Sequence, residues 1–89
     1  VIGAGLAGLS AALSLSRRGR DVVLVEATRR AGGRCRSFHD PSLDAVIDNG
    51  NHLVMSGNKA AMAFLREVGA RHRMAGPNGA AFPFIDVAS

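Results

Sequence analysis

The stretch VIGAGLAGLSAAL, residues 1–13, decides the fold that this sequence predicts. Its glycines Gly3, Gly5 and Gly8 have the spacing G-x-G-x-x-G, which is typical of a tight turn between a strand and a helix. The first glycine allows the turn, the second lets the backbone approach a pyrophosphate, and the third lets the helix pack close to the strand. The first helical residues, Leu6 and Ala7, would then bind the phosphates through unpaired N–H groups at the positive end of the helix dipole.

The same stretch permits two other interpretations, a membrane segment and an ordinary helix of small residues. Residues 1–16 carry no charge and are followed by Arg17 and Arg18, as in a stop-transfer segment. However, the run is shorter than the ~20 apolar residues that a membrane span needs, and it contains three glycines and three serines. A signal peptide would carry its basic residues before the apolar stretch. The membrane interpretation is therefore excluded.

The residues after the glycines favour the phosphate-binding turn over a chance pattern. Residues 6–18 are rich in helix formers, and Gly19 stands where a left-handed helix cap is expected. The run Val22 to Val25 then predicts a strand buried on both faces of a parallel sheet. It ends at Glu26, whose carboxylate would accept hydrogen bonds from ribose hydroxyls and repel a 2′-phosphate. The alternative is that Glu26 only solvates the end of the strand.

Composition excludes several other classes of protein. The 89 residues carry a net charge of +4, but the basic residues are scattered and are not interleaved with aromatic residues, which argues against nucleic-acid binding. The single cysteine, Cys35, excludes an intrachain disulfide and a multi-cysteine metal site and suits a reducing, cytoplasmic compartment. The three histidines lack the spacing of a metal site, so no metal is predicted.

The segment ATRRAGGRCRS, residues 27–37, decides between possible cofactors. A glycine turn followed by Arg34, in place of another crossover helix, resembles the FAD-binding N-terminus of the flavin amine oxidase and phytoene desaturase superfamily. The resemblance implies FAD, with the glutamate at the adenosine ribose and the G-G-R segment, which includes Gly32, near the phosphate and the flavin. The sequence departs from the superfamily at Thr28, where many members place an arginine. The residues predicted to bind the cofactor are Gly3, Gly5, Leu6, Ala7, Gly8, Glu26, Ala27, Gly33 and Arg34.

A narrower resemblance extends over nearly the whole chain. The segments G-G-R-x-x-S at residues 32–37, D-N-G-x-H at 48–52 and FLREVGA at 64–70 are similar to those of the hydroxysqualene dehydroxylases. Enzymes of that family use the flavin to remove the hydroxyl of hydroxysqualene and yield squalene, on the route to hopanoids. The resemblance implies an isoprenoid substrate, peripheral membrane association of the parent enzyme, and a flavin-side loop at Gly50, Asn51 and His52. His52 is alternatively a hydrogen-bonded structural residue, and no residue is assigned a catalytic role.

The remaining sequence predicts short elements. Residues 34–39 and 45–48 predict an antiparallel excursion that turns at Asp40-Pro41. Ser56 or Asn58 can cap a helix over residues 59–68, and Gly69 closes it. Residues 80–86 resemble a strand in which Pro83 indicates an edge position.

The predicted fold class is α/β, a Rossmann-like FAD-binding βαβ unit with an antiparallel excursion. Residues 1–89 are expected to form the N-terminal part of one FAD-binding domain, truncated at both ends and without its substrate domain. The predicted function is an FAD-dependent oxidoreductase of the hydroxysqualene dehydroxylase type, inactive as the isolated fragment. Alternatives are a carotenoid-type desaturase or flavin amine oxidase and, from another class, a non-catalytic nucleotide-binding module or an inactive truncated product.

Overall fold

The computed structural model describes residues 1–50, 53–79 and 81–88. In chain order, the elements are helix α1 (Leu6–Arg17), strands β1 (Ser37–Asp40) and β2 (Ala45–Asp48), helix α2 (Lys59–Glu67) and a 3₁₀ turn at Arg71–Arg73. The two strands pair with each other in a two-stranded sheet. The chain divides into two compact units, Val1–Met55 and Ser56–Ser89, which are described separately below. The expectation of one FAD-binding domain over all 89 residues stays a prediction.

The predicted strand–helix–strand order is present at the start of the first unit, in a short form. Ile2 and Val25 form a parallel bridge. Around it, the N–H of Val25 donates to the carbonyl of Val1 at 2.9 Å, and the N–H of Gly3 donates to the carbonyl of Val25 at 2.7 Å. The expectation that residues 22–25 are buried on both faces is wrong for the described chain, because within it they pair only with residues 1–3. Val23 is accordingly 75% exposed.

Helix α1 ends as its sequence predicts. Gly19 has a φ of +72°, a left-handed conformation that glycine adopts without the usual steric penalty. Its N–H donates to the carbonyl of Ser16 at 2.9 Å, and the N–H of Arg20 donates to the carbonyl of Leu15 at 3.1 Å. These two bonds form a Schellman motif, which satisfies carbonyls that the helix itself leaves unpaired.

The predicted antiparallel excursion is confirmed as a hairpin, with Phe38 opposite Ile47 in the register. Its first strand begins at Ser37, three residues later than predicted, because residues 32–35 are occupied by a glycine turn. Asp40 organises the connection: its Oδ1 accepts the N–H groups of Ser42 at 2.8 Å and Leu43 at 3.1 Å.

The second unit contains the predicted helix, α2, with Asn58 at its N-cap position and no side-chain cap bond to the first turn. Gly69, at φ +69°, closes the helix as predicted. Residues 81–88 do not form the predicted strand, because no described segment supplies a partner for pairing, and Pro83 has no N–H to donate. No helix of the described chain has the length and apolar character needed to cross a membrane.

Candidate dinucleotide-binding site

The glycines of the opening turn have three different structural roles. Gly3 has a φ of +90°, in the left-handed region that glycine favours. A Cβ at Gly8 would overlap the carbonyl oxygen of Gly3, so the close approach predicted for the third glycine is confirmed. A Cβ at Gly5 would meet no protein atom within 4 Å. The chain itself therefore requires Gly3 and Gly8, whereas it leaves open space beside Gly5.

The start of helix α1 leaves backbone donors available. Gly5 is the N-cap residue, and its carbonyl accepts the N–H of Leu9 at 2.9 Å. No side chain caps this end of the helix. The N–H groups of the first turn, including those of Leu6 and Ala7, have no partner within the helix, because the carbonyls four residues earlier lie before the helix begins. Such donors, at the positive end of the helix dipole, suit an anionic ligand.

Ala4 connects the parts of the turn, a role that no pattern in the sequence indicated. It is 2% exposed, the one buried apolar residue of the described chain. Its N–H donates to Oε2 of Glu26 at 2.7 Å, and its carbonyl accepts the N–H of Gly32 at 2.7 Å. One small residue thus connects the glycine turn, the acidic residue and the second glycine pair.

Glu26 lies at the end of its extended segment, as predicted, and its carboxylate is firmly held. Oε2 accepts the Ala4 N–H, while Oε1 accepts the N–H and the hydroxyl of Thr28, both at 2.8 Å. The Ala4 hydrogen bond, followed by those from Thr28, lowers the pKa of Glu26 below the usual range of a glutamate. Because an ionised carboxylate has about four lone-pair positions, at least one acceptor position remains for a ligand hydroxyl. The role of Glu26 at the ribose stays a prediction.

The G-G-R segment lies directly against the opening turn. Gly32 and Gly33 have φ values of +113° and +60°. A Cβ at Gly33 would lie 3.1 Å from the Cα of Gly5, which shows how closely the two glycine segments approach. Two regions that are almost thirty residues apart in the sequence thus form one backbone surface.

Asn49, which belongs to the D-N-G-x-H segment, holds the G-G-R segment from the hairpin side. Its side-chain amide donates to the carbonyl of Arg34 at 3.1 Å, and its backbone N–H donates to the carbonyl of Arg36 at 2.9 Å. The end of β2 therefore holds the loop that carries Arg34. No local signal in the sequence indicated this role, because the whole hairpin separates Asn49 from Arg34.

Two clefts adjoin this backbone surface and share Gly33 and Cys35. The first, of about 820 Å³, is lined by Gly5, Leu6, Ala7, Gly32, Gly33, Arg34, Cys35, Asn49 and Gly50. The second, of about 640 Å³, is lined by Glu26, Thr28, Arg29, Arg30, Ala31, Gly33, Cys35, Arg36, Ser37 and Phe38. The structure thus brings most of the predicted residues to two adjoining spaces, the phosphate-side cleft and the Glu26 cleft.

Several predicted residues lie elsewhere. Gly3, Gly8 and Ala27 line neither cleft, and the two glycines act by shaping the turn. Gly50 lines the phosphate-side cleft, whereas Asn51 and His52 lie outside the described residues. Within the described ranges, no group of three or more His, Cys, Asp or Glu side chains could hold a metal ion.

The Glu26 cleft combines an acidic centre with basic and aromatic walls. Arg29, Arg30 and Arg36 line it together with Phe38. The Arg36 guanidinium lies 6.0 Å from the centroid of the Phe38 ring, at the edge of cation–π range. Such a space offers an acceptor for a hydroxyl, cations for an anionic group and a flat ring for a planar one.

Comparison with known proteins gives the family to which this geometry belongs. Residues 1–68 match the family described as NAD(P)-binding Rossmann-like domain. The chain belongs to this family. The match covers the glycine turn, Glu26, the G-G-R segment and the hairpin, which are the parts that form the two clefts.

Relatives of this Rossmann-like chain confirm the narrower resemblance. The chain is 51% identical to a hydroxysqualene dehydroxylase of Sinorhizobium fredii over 89 residues, which is all of the chain. It is 52% identical to a hydroxysqualene dehydroxylase of Zymomonas mobilis over 87 residues, 98% of the chain. It is also 36% identical over 69 residues, 78% of the chain, to an L-amino-acid oxidase of Gloydius halys, of which it covers 14%. The chain spans 21% of the length of each hydroxysqualene dehydroxylase. No solved structure gives a significant match.

Proposed function

We propose that this chain is the FAD-binding region of an oxidoreductase of the hydroxysqualene dehydroxylase type. The observation that carries the proposal is the first turn of α1, where uncapped N–H groups face a cleft lined by Gly5, Leu6, Ala7 and Arg34. The pyrophosphate of FAD would lie there, and the adenosine ribose would reach Glu26 in the adjoining cleft. The identity of 51% over the whole chain to a hydroxysqualene dehydroxylase supports the choice of activity.

Each part of the proposed site has a defined task. The N–H groups of Leu6 and Ala7 bind the phosphates, and Arg34 supplies a positive charge beside them. Glu26 accepts a ribose hydroxyl and, being negatively charged, disfavours a 2′-phosphate. When bound, the flavin supplies the redox chemistry, which protein side chains cannot supply themselves. In the whole protein, the substrate would be hydroxysqualene, an isoprenoid alcohol that loses its hydroxyl and becomes squalene.

The identity of the cofactor can be determined by purifying the natural full-length protein and analysing the cofactor that it releases. We expect a yellow protein whose released cofactor is FAD. NADP is the competing cofactor, since Arg29, Arg30 and Arg36 line the same cleft as Glu26 and could hold a 2′-phosphate. A colourless protein that binds NADPH tightly and no flavin would contradict the proposal.

Gly5 provides the test of where the pyrophosphate binds. Gly5→Val places a branched side chain beside the turn, where a Cβ at this position would meet no protein atom within 4 Å. We expect flavin content to fall at least tenfold while the circular dichroism spectrum is retained, because the clash is with the ligand and not with the protein. The matched control is Gly57→Val in the second unit, where a Cβ also meets no atom within 4 Å. Full flavin occupancy in Gly5→Val would show that the pyrophosphate lies elsewhere.

The alternative activities are separated by assay of the full-length protein. The similarity to an L-amino-acid oxidase makes a flavin amine oxidase the principal rival within the enzyme class, followed by a carotenoid-type desaturase. Loss of hydroxysqualene in the presence of a reductant supports the proposal. Oxidation of an amino acid or desaturation of a carotenoid precursor, without that loss, would replace it. A protein that binds the dinucleotide but turns over none of these substrates would be a non-catalytic module.

A further inference from the structure

Thr28 occupies the position at which the sequence departs from the pattern of the superfamily, and the structure gives this threonine two hydrogen bonds to one carboxylate oxygen. Its N–H and its hydroxyl both reach Oε1 of Glu26 at 2.8 Å. We propose that Thr28 is a positioning residue that orients Glu26 for the adenosine ribose and thereby sets the affinity for the dinucleotide. This inference rests on the proposed function.

The two oxygens of Glu26 are held by different parts of the chain. Oε2 is held by Ala4 in the glycine turn, and Oε1 is held by Thr28, which lies four residues before the G-G-R segment. A carboxylate whose two oxygens both accept hydrogen bonds cannot rotate about its side-chain torsions without breaking charge-assisted hydrogen bonds. An acceptor that is already oriented binds a ligand hydroxyl at a smaller entropic cost than a mobile one.

The Thr28 hydroxyl has a second partner besides Glu26, the carbonyl of Arg30. Its Oγ1 lies 2.9 Å from the carbonyl oxygen of Arg30 as well as 2.8 Å from Glu26. Since a hydroxyl carries one proton, it donates to one of these acceptors at a time or divides its bond between them. A ribose hydroxyl can donate to the acceptor position of Glu26 that these bonds leave open, so the Thr28 hydroxyl keeps its place when the ligand binds.

Glu26 shares its cleft with side chains that can carry charge. The side chains that line the same cleft and can carry charge are Arg29, Arg30, Arg36 and Cys35. The hydrogen bonds from Ala4 and Thr28 lower the pKa of Glu26, so removing one of them raises it. The pH below which ligand affinity falls should then move upward.

The experiment measures the affinity of the full-length apoprotein for FAD, by quenching of flavin fluorescence, in Thr28→Val and Thr28→Ser. Valine has nearly the shape of threonine without its hydroxyl, whereas serine retains the hydroxyl. We expect Thr28→Val to weaken FAD binding about three- to tenfold, the equivalent of one hydrogen bond, and Thr28→Ser to restore most of the affinity. The acidic limb of the pH profile should lie at higher pH in Thr28→Val than in the natural protein.

Glu26→Gln identifies the residue through which Thr28 acts. In that background, Thr28→Val should cause no further loss of affinity, because the carboxylate that Thr28 orients is absent. If Glu26→Gln weakens binding but Thr28→Val leaves the affinity and pH profile unchanged, or acts equally in both backgrounds, the positioning role is overturned and the proposed function stands. If Glu26→Gln itself has no effect on FAD binding, the assignment of Glu26 to the ribose fails and this inference fails with it.

Discussion

At the scale of single residues, the site depends on very small side chains. Ala4 is buried and uses both of its backbone hydrogen-bonding groups to connect Glu26 with the G-G-R loop. Gly8 and Gly33 allow backbone segments to approach at distances that a Cβ would prevent or crowd. The absence of side chains leaves the backbone N–H groups of the turn accessible, which is what binding of a phosphate at the start of a helix requires.

The first prediction concerns Gly8. In a helix interior, alanine is favoured over glycine by roughly 0.5–1 kcal/mol, so helix propensity alone predicts that Gly8→Ala stabilises the protein. However, the added Cβ would overlap the Gly3 carbonyl oxygen, which belongs to the backbone and cannot move aside as a flexible side chain could. We expect the clash to prevail, with a loss of about 3 kcal/mol of unfolding free energy and a lower melting temperature for the full-length protein.

Gly57→Ala is the control for Gly8→Ala, because it adds the same methyl group where no atom lies within 4 Å. Its melting temperature should stay within experimental error of the natural protein. A Gly8→Ala protein that melts at or above the temperature of the control would show that the helix does not approach the turn as closely as described.

At the scale of elements, the two helices end in the same way. Gly19 after α1 and Gly69 after α2 both have positive φ, and the residues that follow them complete the same pair of backbone hydrogen bonds. This ending turns the chain sharply and satisfies carbonyls of the last turn. After α1, the turn directs the chain back towards Val25, which pairs in parallel with Ile2.

The second prediction follows from the left-handed cap of α1. We expect Gly19→Ala to destabilise the full-length protein by about 1 kcal/mol, because a residue with a Cβ is strained at φ +72°. Nothing lies within 4 Å of the added Cβ, so the loss would report the backbone conformation alone. Thermal unfolding measures it, with Gly76→Ala as the control at a glycine without positive φ. Equal melting temperatures for the two variants would contradict the left-handed cap.

At the scale of the whole molecule, the described chain has apolar surface but almost no apolar core. Ile2 is 93% exposed, Phe84 91% and Ile85 87%, while Ala4 alone among the described apolar residues is buried. Exposed apolar patches of this kind mark surfaces that other protein segments cover, or sites of aggregation.

The third prediction is that residues 1–89 expressed alone are poorly soluble, retain little FAD and have no turnover. The chain offers groups for adenosine and pyrophosphate, but holding a flavin and a substrate together requires a closed, water-poor cavity. Neither cleft of the first unit is enclosed in that way. The measurements are size-exclusion chromatography, bound flavin fluorescence after addition of FAD, and loss of hydroxysqualene under a reductant. The full-length protein is the control, and a monomeric fragment with stoichiometric flavin and measurable turnover would contradict the prediction.

The sequence by itself determined the local elements of this protein and the family to which it belongs. Helix propensity, glycine at helix ends and turn chemistry act over a few residues, so α1, α2 and the hairpin could be predicted with errors of up to three residues at their boundaries. The glycine spacing and Glu26 indicated a dinucleotide site because few other functions need that pattern. The strand predicted at residues 80–86 failed for the converse reason, since a strand depends on a partner and local sequence does not supply one.

Only the tertiary structure decided how the site residues act on one another. It connected Ala4 to Glu26 by a hydrogen bond and placed Gly33 against Gly5. It also gave Thr28 its hydrogen bond to Glu26, and Asn49 its hydrogen bond to Arg34. These contacts join segments up to about thirty residues apart, and most of them use backbone groups that every residue type possesses. A sequence pattern reports which side chains are present. It cannot report which backbone N–H meets which carboxylate, because that depends on how the turn, the loop and the hairpin pack together.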